Sequence, residues 1–187
     1  RFRYIEDHAR KNNVNNLRLF LGSSSKLPSE SFDFIVSHDS FEHFENPQEI
    51  LIELTRLLKP TGKLLIKFGP TWMGPFGRHM FNVFRKDRPW MHLIIPEKKV
   101  MRIYSVVKRW DELKESYNDY PDGLNKMTIS KARKIVENNE FTQVTKFKVV
   151  SYLDHSKGVR KLFIPLLKIN LLNELFSQEV RIEVRKM

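Results

Sequence analysis

The chain has no cysteine among its 187 residues. That excludes a disulfide framework and any thiolate metal site, and it fits a reducing compartment. A long apolar run is also missing. No stretch approaches the roughly 18 residues of a membrane span, and the first residues lack the form of a secretory signal. Basic residues never occur more than two in a row, and no RNA-binding signature is present, so a nucleic-acid partner is not expected. The first residue is Arg1 rather than methionine, which leads us to expect an N-terminally incomplete product.

What is present is a folding composition. Hydrophobic residues make up 41% of the chain and aromatic residues 12%, and the length suffices for one medium domain with its own core. The net charge is +11, and its distribution says more than its size. Residues 1–68 are nearly balanced, with 10 basic and 9 acidic groups, whereas residues 128–187 carry 12 and 6. The surplus is scattered. It reads as a lysine-rich solvated surface or, more sharply, as attraction to an anionic substrate or membrane surface.

Residues 3–12 have the pattern of a helix end. Leu17–Leu21 and Phe32–Val36 read as short strands, and the near-continuous apolar run of the second suggests burial on both faces. Asn46-Pro47-Gln48-Glu49 is a helix start: a cap, a proline in the first turn, and a glutamate able to reach back to the cap. Ile50, Leu51, Leu54, Leu57 and Leu58 then share one face, and Lys59-Pro60-Thr61-Gly62 closes the helix before a strand at 63–68. Residues 69–127 break this rhythm. They hold five of the nine prolines and all three tryptophans, and they read as an acceptor-covering insertion or lid within a single domain spanning 1–187. A short helix at 129–138, a strand at 143–150, an apolar Pro-interrupted helix at 162–176 and a strictly alternating strand at 180–185 complete the pass. Strict alternation points to an antiparallel strand near a sheet edge.

In open α/β sheets ligands bind beyond the carboxyl ends of the strands. The three N-terminal strands end in Gly22-Ser23-Ser24-Ser25, in Ser37-His38-Asp39 and in Gly69-Pro70-Thr71. If the strands are parallel, these ends line one crevice.

Three pieces in order, GSSSKLP (22–28), SFDFIVSHDSFEHFENP (31–47) and RLLKPTGKLLIKF (56–68), resemble the class I S-adenosylmethionine-dependent methyltransferases. LNKMTIS (124–130) and the closing strands fit the same family. The resemblance implies an α/β fold: a doubly wound, mostly parallel sheet with a C-terminal antiparallel strand pair, here without its first strand-helix-strand unit. The family's glycine-rich first turn and ribose-holding acid lie ahead of the segment that matches residues 1–12. Ser23 stands where the family has an acidic residue at the adenine edge, and Thr61-Gly62 where it has two glycines.

The resemblance further implies S-adenosylmethionine as cofactor, with Gly22, Ser23, Ser24, Ser37 and His38 in contact with it. It implies methyl transfer to an oxygen or nitrogen of a small or medium organic acceptor. His79 and His92 are candidate general bases, the alternative being histidines packed beside aromatic rings. Trp72, Trp90 and Tyr104 either wall the acceptor or form the insertion's own small core. Asp33 is expected to be structural, Asp39 to cap a turn, Glu42 to pair at the surface and His43 to be a packed histidine. No metal is expected, since Asp39, His38 and His43 make a poor ligand set. Residues 162–175 suggest a buried helix, with a homodimer or membrane-surface contact as the other reading. The expected location is cytoplasmic. Two rivals remain: a non-catalytic binding module that keeps the fold, and an RNA methyltransferase.

Overall fold

A computed structural model describes residues 2–79, 88–119, 123–155 and 166–187. In chain order these form α1 (Phe2–Lys11), β1 (Phe32–His38), α2 (Pro47–Leu57), β2 (Leu58–Phe68), α3 (Met91–Ile94), α4 (Glu97–Lys108), α5 (Ile129–Glu137), β3 (Thr142–Ser151), α6 (Asn170–Phe176) and β4 (Ser177–Lys186). The sheet order is β1-β2-β4-β3. β1 and β2 are parallel, and β4 runs antiparallel to both of its neighbours. The architecture is therefore a mixed α/β sheet with a parallel pair and the expected C-terminal antiparallel strands.

The helix that joins the parallel pair starts as its sequence requires. Asn46 Oδ1 accepts a hydrogen bond from the Glu49 N–H at 3.4 Å, and Pro47 occupies the first turn. Leu51 and Leu57 bury the inner face. The strand that follows is longer than expected, 58–68 rather than 63–68. Phe32 pairs with Leu58 but Phe34 with Lys63, so Lys59–Gly62 bulges out of the ladder.

The main core lies on one face of the sheet. Leu64, Ile66 and Phe68 of β2 and Val180, Ile182 and Val184 of β4 pack against Leu51 of α2 and against Ile129, Ala132, Ile135 and Val136 of α5. Fully burying each of these large aliphatic side chains contributes about 1.5–3 kcal/mol. The opposite face of β2 and β4 carries Lys63, Lys67, Arg181, Glu183 and Arg185. Two cross-strand ion pairs, Lys63–Glu183 at 3.7 Å and Lys67–Glu179 at 3.1 Å, tie it together. Among the described residues, then, helices cover one face rather than two.

Three expectations are corrected here. Leu17–Leu21 forms no strand, and Leu17, Phe20 and Leu21 are exposed. A strand exists through its ladder with a neighbour, which an apolar run cannot supply alone. Among the described residues β1 is an edge strand rather than a central one, and Phe34 and Val36 are 53% and 51% exposed. Conversely, β4 is internal, and its alternation reflects the one-sided core rather than an edge.

The region 69–127 contains a regular helix that the sequence reading left out. α4 buries Val100, Met101 and Tyr104 in a second core with Tyr117 and Leu124. The expected helix at 162–176 lies partly outside the described residues. Its described part, α6, buries Glu174 and exposes Leu171.

Candidate active site

β1 and β2 end side by side, so the residues after both strands meet at one edge of the sheet. Ser37 is buried near the end of β1, and its Oγ lies 2.9 Å from Ser40 Oγ. His38 is exposed. Its Nδ1 is 3.1 Å from Asp39 and its Nε2 is 2.9 Å from Lys67 Nζ. Asp39 therefore belongs to a surface charge cluster rather than to a turn cap.

The turn Phe41–His43 follows. Phe41 is fully buried against Phe44 and Phe68, each ring 6.1 Å away, and this anchor turns Glu42 inward. Glu42 is only 2% exposed, which corrects the expectation of a surface ion pair. One of its oxygens accepts the Gly69 N–H at 3.2 Å, while the other, Oε2, has no hydrogen-bond partner. Burial raises the Glu42 carboxyl above its ordinary value despite that bond. Gly69 is required where it stands: a Cβ there would sit 2.3 Å from the Gln178 carbonyl oxygen.

His43 and His79 meet beside this carboxylate. Their rings are 5.5 Å apart and nearly perpendicular. His43 Nδ1 lies 2.7 Å from the Gly123 carbonyl oxygen, and His79 Nε2 lies 2.7 Å from that of Pro70. Carbonyl oxygens only accept, so those two nitrogens carry the protons. Burial lowers the His79 pKa to about 4. His79 also has a φ of 56°, the left-handed region that non-glycine residues seldom occupy. A cavity of about 520 Å³ opens beside His43, lined also by Asn118, Leu124, Asn125 and Lys131. Asn125 holds its wall, donating to the carbonyls of Phe41 and Phe44 at 2.9 and 2.8 Å.

The other sequence-derived residues lie elsewhere. Ser23 caps the turn Ser24–Lys26, accepting from the Ser25 N–H. Arg56, at the end of α2, donates to the Ser24 carbonyl at 3.3 Å, and the Ser31 N–H donates to Leu57 at 2.9 Å. That end of α2 leads into the start of β2, so Ser23 and Ser24 sit at the opposite end of the parallel pair from Ser37 and His38. Gly22 lies just ahead of them, where a Cβ would press on the Phe20 ring at 3.3 Å. Asp33 is exposed and pairs with Lys59 at 2.9 Å.

His92, in α3, is buried, with Nε2 2.6 Å from the Trp72 carbonyl oxygen and Nδ1 unpartnered. Trp72 packs edge-on against His92 and Tyr117, and Tyr104 against Trp110. Trp90 donates from Nε1 to the Leu175 carbonyl at 2.9 Å and packs on Phe176, joining the start of α3 to α6. The structure thus gathers His79 with Glu42 and His43 and leaves His92 among the aromatic residues. The Glu42 pairing had one faint sequence signal, a carboxylate directly beside a histidine in a turn that follows a strand.

Comparison with known proteins agrees with this fold. Residues 3–66 match the family model described as a methyltransferase domain. An uncharacterized methyltransferase of Schizosaccharomyces pombe is 36% identical over 64 residues, covering 33% of this chain and 23% of that protein. Among solved structures, coclaurine N-methyltransferase bound to N-methylheliamine and SAH superposes over 98% of this chain and 55% of its own, with TM-score 0.52 and 15% identity. The [4+2]-cyclase SpnF superposes over 96% and 61%, with TM-score 0.51 and 14% identity. The first third of the sequence is thus similar to a methyltransferase domain, and the fold is similar to those of the two solved structures. The chain spans 23% of the length of the Schizosaccharomyces pombe relative and 55% and 61% of the two solved chains. Among the described residues no helix is long and apolar enough to cross a membrane.

Proposed function

We propose that the protein transfers a methyl group from S-adenosylmethionine to an oxygen or nitrogen of a small or medium organic acceptor. The match of residues 3–66 to the methyltransferase domain carries this reading. The parallel pair, whose carboxyl ends converge on a polar cluster beside a cavity, supports it. The groups after β1 suit the ligand's sulfonium and amino-acid end. Ser37 and Ser40 offer hydroxyls, and the exposed Asp39 carboxylate complements positive charge. Ser23 and Ser24 do not reach that end of the sheet, so the adenosine contacts rest on other residues.

When bound, the cofactor supplies an electrophilic methyl on sulfur. The chain's part is to align the acceptor and to keep water out. The cavity beside His43 is the acceptor site in this reading, and the aromatic core around Trp72, Trp90 and Tyr104 supports its wall. His79, with a pKa of about 4, is a poor proton acceptor at neutral pH, so this reading gives it no general-base role. The same reading places the enzyme in the cytoplasm and has it act on a small molecule rather than nucleic acid. A homodimer through the exposed Ile169 and Leu171 belongs to it as well.

Calorimetric titration of S-adenosylmethionine into the protein as encoded tests this reading. Saturable binding is expected, weakened several-fold by Ser37→Ala. No binding by a folded sample would leave the fold serving some other reaction or a binding role.

A further inference from the structure

The interior beside Gly69 holds a group of side chains whose hydrogen bonding is incomplete. A carboxylate oxygen of Glu42 and one ring nitrogen each of His43 and His79 all lie within 4.8 Å of one another. Glu42 is almost wholly buried, and its Oε2 has no partner. Leaving such an oxygen unpaired costs on the order of 1–3 kcal/mol, more if it is charged, and native structures seldom do so without a reason. Each histidine is held from behind. The Gly123 carbonyl fixes the proton of His43 on Nδ1, and the Pro70 carbonyl fixes that of His79 on Nε2. Each ring therefore keeps its other nitrogen as a lone pair. Anchoring one imidazole nitrogen to a backbone oxygen is how metal-binding histidines are oriented. The left-handed backbone of His79 marks a conformation maintained at a cost.

We propose that Glu42, His43 and His79 bind one divalent first-row transition-metal cation, next to the cavity that His43 lines. Two imidazole nitrogens and one carboxylate oxygen suit zinc, manganese, iron(II) or cobalt(II) rather than calcium. Donor atoms around such a cation stand about 3 Å apart, so small side-chain rotations complete the site. Three protein ligands leave coordination positions open, and an oxygen or nitrogen of a small ligand in the cavity would fill one. The inference rests on these three side chains and stands whether or not the protein transfers methyl groups.

The test is titration of cobalt(II) into the purified protein, read by visible absorption and calorimetry, with zinc as competitor. One equivalent is expected to bind, with zinc displacing it. Loss of an outer-shell partner typically costs 10–100-fold in affinity. Glu42→Gln and His79→Ala, each removing a ligand, should therefore weaken binding by about a hundredfold, while His8→Ala on exposed α1 changes nothing. Should either ligand variant fail to fold by circular dichroism, imidazole NMR of the unaltered protein decides. Zinc should move the His43 and His79 resonances together and leave His8 in place. Absence of binding, binding indifferent to both substitutions, or resonance shifts confined to other histidines would overturn the proposal.

Discussion

At the scale of single residues, the close approaches decide most. Gly69 passes beneath the backbone of Gln178, so no side chain fits between them. Gly69→Ala should lower stability by about 1–3 kcal/mol, the usual cost of forcing atoms into packed space, seen as a lower denaturant midpoint with unchanged slope. Glu97 makes a different kind of contribution. Burial alone would raise its carboxyl, but Lys126, the Tyr117 N–H and the Ser116 hydroxyl outweigh burial, and its pKa falls below the ordinary 4.5. A carboxyl depressed in the folded state stabilises above its unfolded pKa and loses that contribution as pH falls through the folded value. The α4 region should therefore hold its stability above roughly pH 5 and weaken below it. Lys126→Met should flatten this acid limb, as followed by tryptophan fluorescence against pH.

At the scale of elements, what caps and pairs an element matters more than its own pattern. Thr128 caps α5 by accepting from the Lys131 N–H at 3.1 Å. Glu174 reaches across from α6 to accept the N–H groups of Ile129 and Ser130 at 2.9 and 2.7 Å. Its charge also meets the positive end of the helix. Glu174→Ala strips two orphan donors in a partly buried place and should cost about 1–3 kcal/mol by equilibrium denaturation. Thr128→Ala should cost about 1 kcal/mol. The helix itself was legible in the sequence, because Ile129, Ala132, Ile135 and Val136 fall on one face. The glutamate cap was not, because 45 residues separate Glu174 from Ile129. For the same reason α2 could be read almost to the residue, whereas Leu17–Leu21 was mistaken for a strand. Helix bonds are local, and strand bonds need a partner.

At the scale of the whole molecule, the described residues form two cores. One lies on the sheet and is closed by α2 and α5. The other is built around α4. Hydrogen bonds from the Trp72 N–H to the Met127 carbonyl and from Trp90 to Leu175 tie the second to the first. Truncating a buried residue should therefore loosen mainly its own core. Met101→Ala is expected to speed amide hydrogen exchange in α4 while β2 and β4 stay protected. Leu51→Ala should lower protection in α2, α5 and the sheet more than in α4, at a cost of about 2–5 kcal/mol.

The sequence alone determined the class of fold, the helices α2 and α5 and the closing antiparallel strands. Each of these depends on periodicity or on neighbours a few residues apart. Only the tertiary structure decided that β1 is an edge, that β4 is internal and that Ser24 and His38 lie at opposite ends of the parallel pair. It alone brought His79 to Glu42 and His43, more than 30 residues away. Which strands pair, and which buried polar groups are left to face one another, follows from long-range packing that no local pattern encodes.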